Sequence, residues 1–308
     1  MKAISIIQLI QCLAQTLLLI LIAPILDGLM RRITARIQNR QGPPLLQSMY
    51  DLLKLLGKED LEASEVPLIQ RLSAYGALGV VLFMSCVIPL GIPAAFRTEA
   101  DVLLIIHLLT MAALSNIFAG LATGNIFSML GINREIMLMM ILEPLLALAI
   151  FVGIVHTQSF AIDAVLSGGI YMSQRFPLSA LMMLTLISAA FPAYLQKAPF
   201  NLSEAETEVI EGPLLEYSGP KLALFKLAYM IRTVLYAALF VNIFLPWGLE
   251  LSKGIEWLLF WAKVVIVLII FTIVAAVYAR YRIDQSLRWL GTMLVIGAIG
   301  LYLAGCGW

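Results

Sequence analysis

The sequence predicts an all-α, polytopic membrane protein of about eight transmembrane helices, with cytoplasmic loops and one amphipathic helix. Two observations predict it. Hydrophobic residues make up 61% of the 308 and charged residues only 13%, with a mean hydropathy of +0.96, a balance that no water-facing surface of this size tolerates. Apolar runs of about 20 residues, the length that crosses a hydrocarbon core, recur along the whole chain. They fall at Ile4–Met30, Leu72–Ile92, Val102–Ala122, Ile136–His156, Leu178–Leu195, Leu222–Gly248, Trp257–Ala279 and Trp289–Gly305. Inside a bilayer every backbone N–H and C=O needs an internal partner, which makes these runs helices. Residues 1–308 form one transmembrane unit, with a basic cytoplasmic connection at 31–71 and an acidic one at 198–221. A net charge of +1 leaves no footprint for nucleic acid.

The first run is too long for the core of a signal peptide and has no small-residue cleavage site, so it reads as a retained helix with Asp27 near its inner end. The connection after it carries Arg31, Arg32, Arg36, Arg40, Lys54, Lys58 and Arg71. Within it Gln41-Gly42-Pro43-Pro44 breaks the helix. Leu45, Leu46, Met49, Leu52, Leu53 and Leu56 then recur at helical spacing, with Gln47, Asp51 and Lys54 off that stripe. This is the amphipathic helix, suited either to the lipid boundary or to a flap that packs on a soluble partner or covers a cavity. Arg134, Lys197, Lys221, Arg280, Arg282 and Arg288 fall in later odd-numbered connections, against Lys2, Arg97, Arg175 and Lys253 on the other side. The positive-inside rule then puts the odd-numbered connections in the cytoplasm and has both termini face outward.

Gly131-Ile132-Asn133-Arg134-Glu135 leads into the fourth span, and Glu143-Pro144 follows nine residues after the arginine. At about 1.5 Å per residue, Glu143 lies roughly 13 Å along, near the bilayer middle. A carboxylate at that depth serves an ion path or a buried structural hydrogen bond. Further charges stand at other depths: Lys226 and Arg232 in the sixth span, the latter flanked by Tyr229 and Tyr236, and Lys263 in the seventh. A proton relay and a salt-bridge ladder both look like this. Cys12, Cys86 and Cys306 are isolated, without a C-x-x-C pair, and read as packing residues.

The connection at 198–221 holds five glutamates, Glu204, Glu206, Glu208, Glu211 and Glu216. Ser203 with Glu206 forms a capping box, predicting a short helix from Glu204 to the break at Gly212-Pro213. On it Glu204, Glu208 and Glu211 share a face, within roughly 40° of one another. Such a face is either a solvated acidic loop or a docking and proton-handling surface.

These residues together resemble a family. The eight-run pattern, Pro199 to Glu206 through Glu211-Gly212-Pro213 to Glu216-Tyr217-Ser218-Gly219, Arg134 with Glu143, Gln41-Gly42-Pro43, Lys54-Leu55-Leu56, Lys58-Glu59 and Arg282-Ile283-Asp284-Gln285 are similar to the complex I family of NADH:quinone oxidoreductase subunit 1. That family includes the membrane subunits of nickel–iron hydrogenases. The short turn after Arg40 and the run Glu211 to Gly219 resemble the formate hydrogenlyase and hydrogenase-4 branch; Asn201 departs from it, standing where an aspartate is usual.

The resemblance implies a membrane anchor in the bacterial inner membrane, itself without catalytic residues, metal ligands or bound cofactor. Its partners would be the hydrogenase large subunit with the nickel–iron centre, a small subunit with iron–sulfur clusters, and antiporter-like membrane subunits. Docking would fall to Arg36, Arg40, Asp51, Lys54, Arg134, Glu135, Arg282 and Asp284. Ion movement or coupling would fall to Glu143, the five glutamates of the acidic connection, Asp27, Lys226, Arg232 and Lys263. Two rival readings remain open here. One is the quinone-binding membrane subunit of an NADH:quinone oxidoreductase, and the other a stand-alone secondary transporter with Glu143 and Arg232 at a midplane site.

Overall fold

A computed structural model describes residues 6–61, 66–96, 100–171, 177–203, 210, 212–248 and 252–308. Ten α-helices are described: α1 Ile6–Ile37, α2 Gln47–Leu56, α3 Pro67–Val87, α4 Val102–Thr123, α5 Ile126–Thr157, α6 Ile162–Leu166, α7 Leu178–Tyr194, α8 Gly219–Phe244, α9 Lys253–Val277 and α10 Ile283–Gly305. Single 3-10 turns lie at Gly169–Tyr171 and Gly212–Leu214. Each of the eight apolar runs is a helix. Seven are long and apolar enough to cross a membrane; the eighth, α7, has 17 residues. Among the described residues the only extended pairing is one bridge between Asp101 and Ala161, which ties two connections at the same end of the bundle.

α8 is the centre. Of its most apolar stretch 72% is buried, against 28% for α1 and 22% for α10. It packs on α1, α2, α3 and α9, while α4 runs from α3 to α5, and α5 is backed by α10 and α7. The bilayer supplies the outer solvent, so α1 leaves Leu9, Leu13, Leu17 and Leu21 exposed along one stripe.

Three features stand out against the sequence reading. First, α5 begins ten residues before the apolar run does, capped by Asn125, whose Oδ1 accepts from Phe127 N at 2.9 Å. Arg134 is therefore inside a helix and not at its end. Second, α2 exists with most of its apolar stripe facing away from the bundle. Ser48 and Leu52 are its buried residues, while Leu45, Leu46, Leu53 and Leu56 are exposed, because its polar edge bonds to α1. Third, Cys12 and Cys86 are not isolated: they form a disulfide joining α1 to α3.

Two glycines allow close approaches. A Cβ on Gly28 would collide with the Leu45 carbonyl oxygen, so only glycine lets the chain before α2 fold back on α1. A Cβ on Gly131 would lie 2.9 Å from the Ser203 oxygen and 3.0 Å from Gly212 Cα. There both ends of the acidic connection rest on α5.

Candidate functional site

Polar side chains meet where α4, α5, α7 and α8 face one another. Glu135, 4% exposed, accepts at Oε1 from Gln196 Nε2 at 3.2 Å and from Asn116 Nδ2 at 3.4 Å. Gln196 Oε1 in turn accepts from Arg232 Nη2 at 2.6 Å. The Arg232 guanidinium stands 4.5 Å from the centre of the Tyr229 ring, a cation–π contact, and the Tyr229 hydroxyl accepts from Asn116 Nδ2 at 3.2 Å. The contacts close into a ring, with a buried acid and a buried base linked through neutral amides. A buried charge stripped of its partners costs several kcal/mol, so each member constrains the others.

Gln196 reaches both charges because of how α7 ends. Its backbone takes φ 50°, Gln196 N donates to Ala193 O at 3.0 Å, and Lys197 N donates to Pro192 O at 2.9 Å. This is a Schellman cap, whose left-handed position usually holds glycine. A glutamine there costs about 1 kcal/mol of backbone strain, which the bonds of its side chain offset.

Eight residues along α5 from Glu135, or roughly 12 Å, stands Glu143. Its Oε2 accepts from Thr110 Oγ1 at 3.1 Å, and the same hydroxyl lies 3.0 Å from Ile106 O. Its Oε1 is buried and accepts no hydrogen bond among the described residues. A cavity of about 60 Å³ is lined by Glu135, Glu143, Tyr194, Gln196, Ser203, Arg232 and Tyr236, with room for a few waters. Ser203 brings the start of the acidic connection to its wall. Arg134 Nη1 donates to Leu202 O at 3.3 Å, Ser128 Oγ to Gly212 O at 3.1 Å, and Asn125 Nδ2 to Glu216 Oε1 at 2.9 Å, so the connection leaves and rejoins on α5.

A second cavity, about 460 Å³, opens at the basic end between α1, α9 and residues 196–201, lined by Asp27, Arg31, Arg40, Gln196, Lys197, Asn201 and Thr272 among others. Gln196 lines both cavities. Asp27 Oδ2 accepts from Ser48 Oγ at 2.7 Å and pairs with Arg31 Nε at 2.9 Å, and Arg31 Nη1 reaches Asp51 at 3.4 Å. These bonds hold α2 to α1. Burial pushes the Lys197 ammonium below the usual lysine range, with Asp27 opposing and Arg31 adding to the shift.

The structure brings Glu143, Arg232 and Glu135 to one cavity and Asp27 to the adjoining one. Glu135, expected on the docking face, is instead buried in the ring. Asp51, also expected there, is paired to Arg31. Arg36, Arg40, Lys54, Arg282 and Asp284 are exposed. Lys226 is half-buried, takes no partner among the described residues, and does not line the cavity. Lys263 is elsewhere, its ammonium bonded to the Leu245 and Trp247 carbonyls just past the end of α8. Glu204, Glu206, Glu208 and Glu211, with the short helix expected on them, lie outside the described residues. Thr110, Asn116 and Gln196 escape sequence reasoning; an amide or hydroxyl inside or beside an apolar run is the available signal. Among the described residues no group of three or more His, Cys, Asp or Glu could hold a metal.

The family model described as NADH dehydrogenase matches residues 10–304. Formate hydrogenlyase subunit 4 of Escherichia coli is 32% identical over 292 residues, covering 91% of this chain and 94% of that one. Hydrogenase-4 component C of the same organism is 31% identical over 303 residues, covering 95% of each. NADH-ubiquinone oxidoreductase chain 1 of Paracentrotus lividus is 28% identical over 298 residues, covering 89% of this chain and 90% of that one. A chain in the structure of the membrane-bound sulfane sulfur reductase, an archaeal respiratory membrane complex, superposes with a TM-score of 0.84 at 27% identity, over 96% of this chain and 99% of that one.

Proposed function

The chain belongs to the NADH dehydrogenase family, and on that premise we propose that it is the membrane anchor of a complex I-like hydrogenase. It docks a soluble electron-transfer module at its basic end and couples hydrogen evolution to movement of protons or sodium ions. The hydrogenase branch is supported by the identities of 32% and 31% to the two hydrogenase-type subunits, against 28% to 30% for the NADH oxidoreductase relatives. Cofactors would reside in the partner subunits. The basic end would face the cytoplasm. A disulfide between Cys12 and Cys86 at the opposite end supports this orientation, since such bonds persist in the periplasm and not in the cytosol.

The observation that carries the coupling role is the polar continuity through Gln196. A charge arriving in the basic cavity changes the field on Arg232 and Glu135, which share Gln196, and these line the same small cavity as Glu143. Thr110 gives Glu143 two stable states. One hydroxyl hydrogen serves two acceptors. An ionised carboxylate outcompetes a neutral carbonyl, because charge-assisted bonds are roughly twice as strong, so Thr110 then donates to Oε2. When Oε1 takes a proton from the cavity, the hydrogen returns to Ile106 O. Neither state leaves the hydroxyl without an acceptor.

Glu143→Gln keeps the size and removes the titration. In sealed vesicles holding the complex, hydrogen evolution should persist while the coupled ion gradient is lost. A full gradient in that variant would overturn the assignment.

A further inference from the structure

At the end of the bundle opposite Arg36 lies a third cavity, about 490 Å³, between Pro89–Pro93, α6, the end of α8 and the start of α9. That volume falls within the range of small-ligand sites. On α9 the residues Lys253, Glu256, Phe260 and Lys263 all line it, spaced by three, four and three so that they share one helix face. Ile255 and Leu258, on the other side of the same turns, are 53% and 63% exposed, as apolar side chains facing hydrocarbon are. The mouth therefore opens at the boundary between hydrocarbon and headgroups. Trp247, which also lines it, is 70% exposed and suits that interfacial level.

Four charged side chains line the cavity, Asp163, Lys253, Glu256 and Lys263, and they sort into engaged and available, with Asp163 among the engaged. Lys263 is occupied by the two carbonyls beyond α8. The Lys253 and Glu256 side chains take no hydrogen bond or ion pair among the described residues, although Glu256 is half-buried. Below them the wall is apolar, formed by Leu166, Val241, Leu245 and Phe260. A ligand that matches this must offer an anion, a cation that donates hydrogen bonds, and apolar chain directly beneath.

We infer that the cavity binds a zwitterionic phospholipid with a primary ammonium, its phosphate on Lys253 and its ammonium on Glu256, from the leaflet at this end. The first chain methylenes lie over Phe260 and Leu245. A purely anionic headgroup would satisfy Lys253 and leave Glu256 facing it. A quaternary headgroup has no N–H to give.

The test uses the complex extracted from membranes and exchanged into equal phosphatidylethanolamine, phosphatidylglycerol and phosphatidylcholine, with the retained lipid measured by native mass spectrometry. The wild type should retain phosphatidylethanolamine over either of the others by about fivefold, the factor expected for one interfacial charge contact. Glu256→Gln should abolish that preference, and Lys253→Gln should lower retention of all three together. Equal retention in the wild type, as when a partner subunit fills the cavity, would overturn the inference. So would a preference that survives Glu256→Gln. Lys253 is exposed and its replacement leaves the fold intact, so unchanged total retention in that variant overturns it even where Glu256→Gln fails to assemble.

Discussion

The two ends of the bundle use polar residues in opposite ways. Toward the basic end side chains bond to side chains: Glu135 to Gln196 and Asn116, Gln196 to Arg232, Glu143 to Thr110, Asp27 to Ser48 and Arg31. Toward the opposite end they mostly finish on backbone or in a covalent bond. Lys263 meets two carbonyls, Asn242 Nδ2 donates to Pro89 O at 2.8 Å, Ser179 Oγ donates to Trp308 O at 2.6 Å, and Cys12 is joined to Cys86. A backbone carbonyl has one state, whereas a carboxyl, amide or hydroxyl has several. The basic end can therefore respond to charge, and the opposite end holds the helices in register.

Replacing Gln196 by Leu gives the largest expected effect on that contrast. It removes one bond from each of two buried charges, at roughly 1.5 to 3 kcal/mol apiece. Ion coupling in vesicles should fall at least about tenfold. Ser179→Ala, which removes bonds at the end opposite the basic one, should cost about 1 kcal/mol and leave coupling unchanged. Equal effects of the two would erase the distinction.

Next comes Gly131→Val, whose side chain would collide with Ser203 and Gly212 and lift the acidic connection off α5. A cost of about 2 to 4 kcal/mol is expected, with the soluble module lost on purification. Normal retention of that module would show that the seating of the connection does not matter for docking.

A smaller effect is expected at Lys197. Its folded ammonium titrates below the ordinary value of about 10.4, so in the window between the two the unfolded chain holds more protons than the folded one. Stability should rise with pH across that window and be lowest below it. Lys197→Met should flatten the slope of melting temperature against pH. A slope that persists would place its origin elsewhere.

The smallest effect on coupling belongs to the double replacement Cys12→Ser with Cys86→Ser. Melting temperature should drop by a few degrees, and the ion gradient should not change. A lost gradient would mean that the disulfide-bonded end also takes part.

Hydropathy alone locates all eight apolar helices, since an apolar run of this kind has no other stable conformation in lipid. It misjudges α5 because Ile126–Glu135 mixes apolar and polar residues; helix continues there through packing on the acidic connection, which no local window registers. Glu143 is legible from its charge at depth. Thr110, Asn116 and Gln196 are not, because neutral polar residues carry no such signature and matter only through what folding sets beside them. The disulfide is hidden by its separation of 74 residues.

α1 is a rod of 32 residues, about 48 Å long at 1.5 Å per residue, and it is clamped at both ends. Cys12 fastens one end to α3, while Arg31, Asp27 and the Gly28 contact fasten the other to α2 and the chain before it. A rod clamped at both ends cannot pivot; under load it can only buckle. Pro24 removes one rung of the backbone ladder between the clamps and sets the place where it would yield.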